Sequence, residues 1–200
     1  MEIKAINKAN IRRKLAKQAL DHLRNCKNYD EFSYHWQAFL THWKGVYTAL
    51  EQGAKASPQS RQWFGSKKTF RKNDELLQYL FQARNDAEHG LDEVTKNISG
   101  RVKIGSSKPG TSQSFSLDRL EVSATGAVSF MGKSHDGLPI DFDVTPGHAQ
   151  LVPVCGRGTE IFQPPKNHKD KEIADPTPIK IAELAIDYLD SVLEEADALC

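Results

Sequence analysis

The hydrophobic period of the chain changes twice, and those two changes limit what it can fold into. Up to about residue 96, apolar residues recur every three or four positions, the spacing of helices with one buried face. At Ile98 the period drops to two and stays there through Phe162. Beyond Thr177 it is helical again, with Ile179, Ile181, Ala182, Leu184, Ala185, Tyr188, Leu189, Val192 and Leu193 along one face. Helix, then strand, then helix is an α+β order. The pattern predicts a helical bundle over residues 1–96, an inserted antiparallel β-meander with a polar linker over 97–175, and a last helix over 176–200 packing back on the bundle. Two hundred residues suffice for a real core and suit one domain with a smaller insertion.

Four helices are expected before the insertion. Residues 2–26 carry Ile3, Ile6, Ile11, Leu15, Ala19 and Leu23 as a stripe. Residues 30–52 carry a wide face of Phe32, Trp36, Phe39, Leu40, Trp43, Val46, Tyr47 and Leu50. His35 and His42 lie seven residues apart on it, about 10.5 Å along the axis, so one metal ion cannot hold both. Ser57-Pro58 reads as an N-cap and first-turn proline. Asn73 or Asp74 can cap a fourth helix with Leu76, Leu80, Ala83, Ala87, Leu91 and Val94 on one face, extending toward Lys96.

In the insertion, Thr125-Gly126, Asp136-Gly137 and Pro146-Gly147 mark turns between about five or six short strands. Asp141 and Asp143 share a strand face, but no third metal ligand follows at a known spacing and the Gly-rich loop of a calcium site is missing. Solvent-facing charge explains them. Cys26, Cys155 and Cys200 form neither a disulfide framework nor a zinc motif, which suits a reduced, cytoplasmic setting. No apolar run reaches the roughly 20 residues of a membrane span, so no membrane association is expected.

The net charge is +1, yet its distribution is uneven. Residues 1–96 hold 17 Lys and Arg against 11 Asp and Glu, whereas residues 176–200 hold 1 against 6. Arg12, Arg13, Lys14 and Lys17 cluster in the first helix. Arg61, Lys67, Lys68, Arg71 and Lys72 alternate with Trp63, Phe64 and Phe70, a mixture that suits single-stranded nucleic acid. Either these charges meet a polyanion, or the acidic last helix packs beside them. The aromatics read as plugs of the bundle.

The fourth helix ends in Arg84-Asn85-Asp86-Ala87-Glu88-His89. An Arg followed by Asn, then a His after four intervening residues, resembles the signature of the HEPN family (higher eukaryotes and prokaryotes nucleotide-binding). The resemblance covers the helical parts only. It implies a HEPN-like bundle, paired motifs at a homodimer seam, and metal-independent endoribonuclease activity leaving a 2′,3′-cyclic phosphate, with no cofactor. Such proteins serve as toxins or in antiphage defence, so RNA and an antitoxin or other partner protein are implied. In that chemistry the substrate's own 2′-OH attacks phosphorus. Histidine, with an ordinary pKa near about 6.5, moves protons, so His89 is the acid or base. Arg84 grips the phosphate with its planar fork, and Asn85 orients His89. The competing expectation is a non-catalytic nucleotide-binding or scaffold protein, in which Arg84 and Glu88 form a helix ion pair. Positions 84 and 89 lie about 140° apart around a regular helix, so one phosphate meets both only through a kink at Gly90 or a second copy of the chain.

Overall fold

The computed structural model describes residues 1–89, 93–106, 115–122, 128–135, 140–156 and 160–199. The architecture is α+β. Two compact units divide the chain: Met1–Lys96 with Gln150–Cys200, and Asn97–Ala149. Among the described residues, no helix is long and apolar enough to cross a membrane.

The first unit holds α1 (Ile3–Asn25), α2 (Tyr29–Gly53), α3 (Pro58–Asn73), α4 (Glu75–His89) and α5 (Pro178–Asp197). Local capping chemistry sets several of their starts. Asn28 accepts from the Glu31 N–H at 2.9 Å, and Ser57 from the Ser60 N–H at 3.1 Å ahead of Pro58. Thr177 accepts from the Lys180 N–H ahead of Pro178. Asp74, not Asn73, caps α4 through the Leu77 N–H at 3.0 Å. Each cap satisfies a backbone donor that the helix itself leaves unpaired.

The central element is α2, which packs against α1, α3, α4 and α5. Its Trp36, Phe39, Leu40, Trp43, Val46 and Leu50 are fully buried. Leu76, Leu77, Leu80 and Ala83 of α4 and Ile181, Ala185, Leu189 and Val192 of α5 complete the core. The α1 stripe differs from its expected form. Ile3 and Ile11 are exposed, and α1 packs through Ala5, Ile6, Ala9, Ala16, Ala19, Leu20 and Leu23. At Ala5 the approach to α2 is close: a Cβ built at Gly53 would stand 2.4 Å from the Ala5 Cβ and 3.0 Å from the Met1 Sδ. Gly53→Ala is therefore expected to cost about 1–3 kcal/mol by overpacking. A denaturant titration measures this, and an unchanged midpoint would show that the crossing is loose.

The fourth helix does not extend toward Lys96. Val94 is buried outside it, and β1 (Thr95–Ile98) follows; Leu91 lies outside the described residues. The chain that reads as a polar linker after Pro164 is structured as well. β9 (Asn167–His168) and β10 (Lys171–Glu172) form a tight hairpin turned by Lys169 and Asp170, both at positive φ. The hairpin is fastened to the start of α4. The Asp74 carboxylate lies 3.0 Å from His168 Nδ1 and accepts the Lys169 N–H at 2.8 Å. Glu75 accepts the Lys166 and Asn167 N–H groups and the Asn167 amide. β7 (Val154–Cys155) and β8 (Ile161–Phe162) make a further short pair.

In the second unit β2 (Arg101–Ser106) pairs antiparallel with β5 (Ile140–Thr145), and β3 (Phe115–Val122) with β4 (Val128–Ser134). This pairing is nested, the outer strands together and the inner strands together, whereas a meander pairs each strand with the next. The β3–β4 ladder slips between Leu117 and Arg119, a bulge that adds twist. Gly100 and Gly147 permit two backbones to touch: a Cβ at Gly100 would lie 2.8 Å from the Gly147 nitrogen. β6 (His148–Leu151) pairs with β1. The expected turns at Thr125-Gly126 and Asp136-Gly137 lie outside the described residues, as do the side chains of Asp141 and Asp143.

Candidate nucleic-acid interface

Two sets of basic residues stand apart in the bundle. One set is neutralised by the acidic face of α5. Arg13 and Lys17 both reach Asp190, at 3.1 and 2.7 Å. Arg24 bonds Glu183 at 2.9 Å. Lys67 bonds Glu195 at 2.6 Å, and the Trp63 indole N–H donates to the same carboxylate at 3.0 Å. The cluster Arg12, Arg13, Lys14, Lys17 is thus not one patch. Successive helix positions point 100° apart, so Arg13 and Lys17 face α5 while Arg12 faces α2.

The other set lines a groove of about 410 Å³ between α1 and α2, which Arg84 of α4 also lines. Lys4, Lys8 and Arg12 come from α1 and Lys44 from α2, and among the described residues Glu2 is the one carboxylate on the wall. The other lining residues include Ala5, Thr41, Gly45, Thr48, Ala49 and Gln52. Gly45 matters through close approach, since a Cβ there would meet the Arg12 side chain at 3.0–3.4 Å. Arg12 accordingly lies flat across α2, and its Nη1 is 3.2 Å from His42 Nδ1. Because a guanidinium only donates, Nδ1 accepts and the imidazole proton sits on Nε2. Burial lowers the His42 pKa below the ordinary histidine value, and the Arg12 cation lowers it further.

Arg84 is half-buried and pairs with Glu88 one turn on. Its Nε is buried and finds no hydrogen-bond partner among the described residues. Lys44 sits over the Phe81 ring at 4.7 Å and donates to the Asn85 Oδ1 at 2.6 Å. Asn85 Nδ2 reaches Gln82 at 3.4 Å. The described bonds of Asn85 therefore bind the motif to α2 and to its own preceding turn. Asp86 accepts the Cys155 N–H at 2.9 Å, tying the end of α4 to β7. Position 89 is the last residue of α4, and the helix is continuous up to it; the His89 side chain lies outside the described residues.

The five cations expected to meet nucleic acid on α3 are dispersed. Arg61 and Lys72 are exposed. Lys67 holds Glu195, and Lys68 lies 3.4 Å from Glu51. Arg71 is turned inward. It is 8% exposed, its guanidinium is 3.6 Å from the centre of the Phe81 ring, and burial lowers its pKa from the ordinary arginine value. Phe64 is buried and Phe70 stacks on Tyr188. None of the five lines the groove. Sequence reading missed Lys4, Lys8 and Lys44. The signal available for the first two was their four-residue spacing with Arg12, which puts all three on one face of α1.

Among the described residues, no three His, Cys, Asp or Glu side chains gather as a metal site requires. The arrangement gathers five cations, Lys4, Lys8, Arg12, Lys44 and Arg84, along one groove, chemistry suited to phosphate oxygens. Set against known proteins, the chain matches no protein-family model, no curated protein and no solved structure.

Proposed function

We propose that the groove binds the phosphodiester backbone of RNA and that the chain is a metal-independent endoribonuclease of the HEPN type. The observation that carries this reading is that Arg84 of the Arg-Asn-x3-His motif lines a groove with four further cations and one carboxylate. In the reaction the substrate 2′-OH loses its proton as its oxygen bonds to phosphorus. The 5′-oxygen then leaves and takes up a proton, giving a 2′,3′-cyclic phosphate. Arg84 stabilises the added charge on phosphorus. His89 moves one of the two protons. Because α4 is regular to position 89, a homodimer supplies Arg84 and His89 to one phosphate from two copies. A toxin or defence role, with an antitoxin or other partner protein, follows from this reading.

One observation favours a second reading. Arg84 is already paired with Glu88, and Asn85 with Lys44, an arrangement that also suits a non-catalytic RNA-binding protein. The two readings separate in one experiment: purified protein incubated with mixed RNA in EDTA, wild type beside His89→Ala. Cleavage to 2′,3′-cyclic ends by wild type is expected, with a loss of at least about 100-fold in the variant. RNA left intact by the wild type would refute the nuclease and leave the binding reading.

A further inference from the structure

We infer that the α1 side of the groove is a track for single-stranded nucleic acid, holding successive phosphates on Lys4, Lys8 and Arg12 without regard to base sequence. The inference rests on reading this groove as a nucleic-acid site, but it does not rest on cleavage.

The three cations recur every four residues, about 6 Å apart along the helix axis. That interval matches the separation of neighbouring phosphates in an extended single strand, so the row spans about three phosphates. All three line the same groove. The α5 carboxylates Asp190, Glu183 and Glu195 are committed to Arg13, Lys17, Arg24 and Lys67, none of which lines the groove. Lys4 and Lys8 form no ion pair among the described residues, and Arg12 bonds the neutral ring of His42. The acidic helix thus cancels one basic face and leaves this row with its charge.

A single row of cations selects one strand. The groove lies between α1 and α2 and is lined by Ala5, Thr41, Gly45, Thr48 and Ala49 besides its cations. Lys4, Lys8 and Arg12 follow one helix face and can track one phosphate backbone, whereas a duplex presents two. The lining contains no aromatic side chain among the described residues, so bases find no stacking platform and affinity should not depend on their identity.

The test is fluorescence anisotropy with a labelled 12-nucleotide oligodeoxynucleotide. It lacks the 2′-OH and so reports binding alone. With five groove cations engaged, affinity should fall about 100-fold between 50 and 200 mM salt, since each neutralised phosphate contributes a slope of about 0.7 for single strands. The variant Lys4→Gln/Lys8→Gln/Arg12→Gln should lose at least 10-fold in affinity, and its salt slope should fall by about 2. The variant Lys14→Gln/Arg61→Gln/Lys72→Gln removes the same charge outside the groove and should change affinity less than about 3-fold. Oligo-dA and oligo-dT should bind alike, and poly-glutamate should compete poorly. Circular dichroism and melts verify that both variants remain folded. Equal losses in the two variants, wild-type binding by the groove variant, tighter binding of a duplex, or equal competition by poly-glutamate would each overturn the track. A protein that binds the oligomer as described yet leaves RNA intact removes the nuclease and keeps the track.

Discussion

Asp74→Ala is expected to lower the midpoint of thermal unfolding by about 6–12 °C. Asp74 is only 7% exposed, and its carboxylate serves three partners: the Leu77 N–H at the start of α4, the His168 ring and the Lys169 N–H. Alanine removes a helix cap, worth about 1 kcal/mol. It also leaves buried donors without an acceptor, at about 1–3 kcal/mol for each that stays dry. A total near 3 kcal/mol corresponds to this shift in a chain of about 200 residues. Asp74→Asn keeps one acceptor for the cap and should lose about half as much. A midpoint within 2 °C of wild type for Asp74→Ala would show that the hairpin is not fastened there.

The same carboxylate gives the prediction a pH dependence. Burial opposes ionisation of Asp74, but the hydrogen bonds from His168, Lys169 and Leu77 outweigh it, so its pKa lies below the ordinary aspartate value. The Asn167 amide and the Lys166 N–H likewise hold Glu75 below the ordinary glutamate value. For a depressed carboxyl the unfolded chain binds the proton more readily. The stabilisation is therefore complete above the ordinary carboxyl pKa and is lost as pH falls through the folded value. Asp74→Ala should flatten the acid limb of the stability curve and converge on wild type at the lowest pH.

Arg84→Lys is expected to reduce RNA cleavage by about 10²–10³-fold, the cost of removing one donor that stabilises transition-state charge. The ammonium keeps the charge but not the bidentate fork. The affinity for a single-stranded oligodeoxynucleotide should fall less than about 3-fold, because one phosphate is still neutralised. Arg84→Ala should lose both. Neither variant should shift the melt by more than about 2 °C, since the Arg84–Glu88 pair is a partly exposed helix pair worth about 0.3–0.5 kcal/mol. Undiminished cleavage by Arg84→Lys would remove the arginine from the chemistry. A melt lowered by 10 °C or more would make it a structural residue.

The sequence alone determined what depends on neighbours three or four residues apart. Asn28, Ser57 and Thr177 cap the helices they precede, the aromatic stripe of α2 is core, and the alternation after Ile98 yields strands. These are local matters of backbone donors and side-chain period, and they are legible wherever the pattern is strong. Strand partners were not legible, because alternation tells which face a residue takes and not which strand it meets. The nested pairing of β2 with β5 and β3 with β4 came only from the fold.

The candidate site was legible in its parts and not in its assembly. Arg84, Asn85 and Arg12 stood out as residues, yet their relation to Lys4, Lys8 and Lys44 depends on α1 and α4 both flanking α2. Which cations the acidic helix neutralises was likewise a tertiary decision. Asp190 cancels Arg13 and Lys17 from more than 170 positions away, and Glu195 cancels Lys67 from 128. The exposure of Ile3 and Ile11, the inward turn of Arg71 and the hairpin fastened to Asp74 have the same origin. A charge or an apolar side chain carries no record in sequence of what will approach it, because Coulomb attraction and burial depend on distance in space and not along the chain.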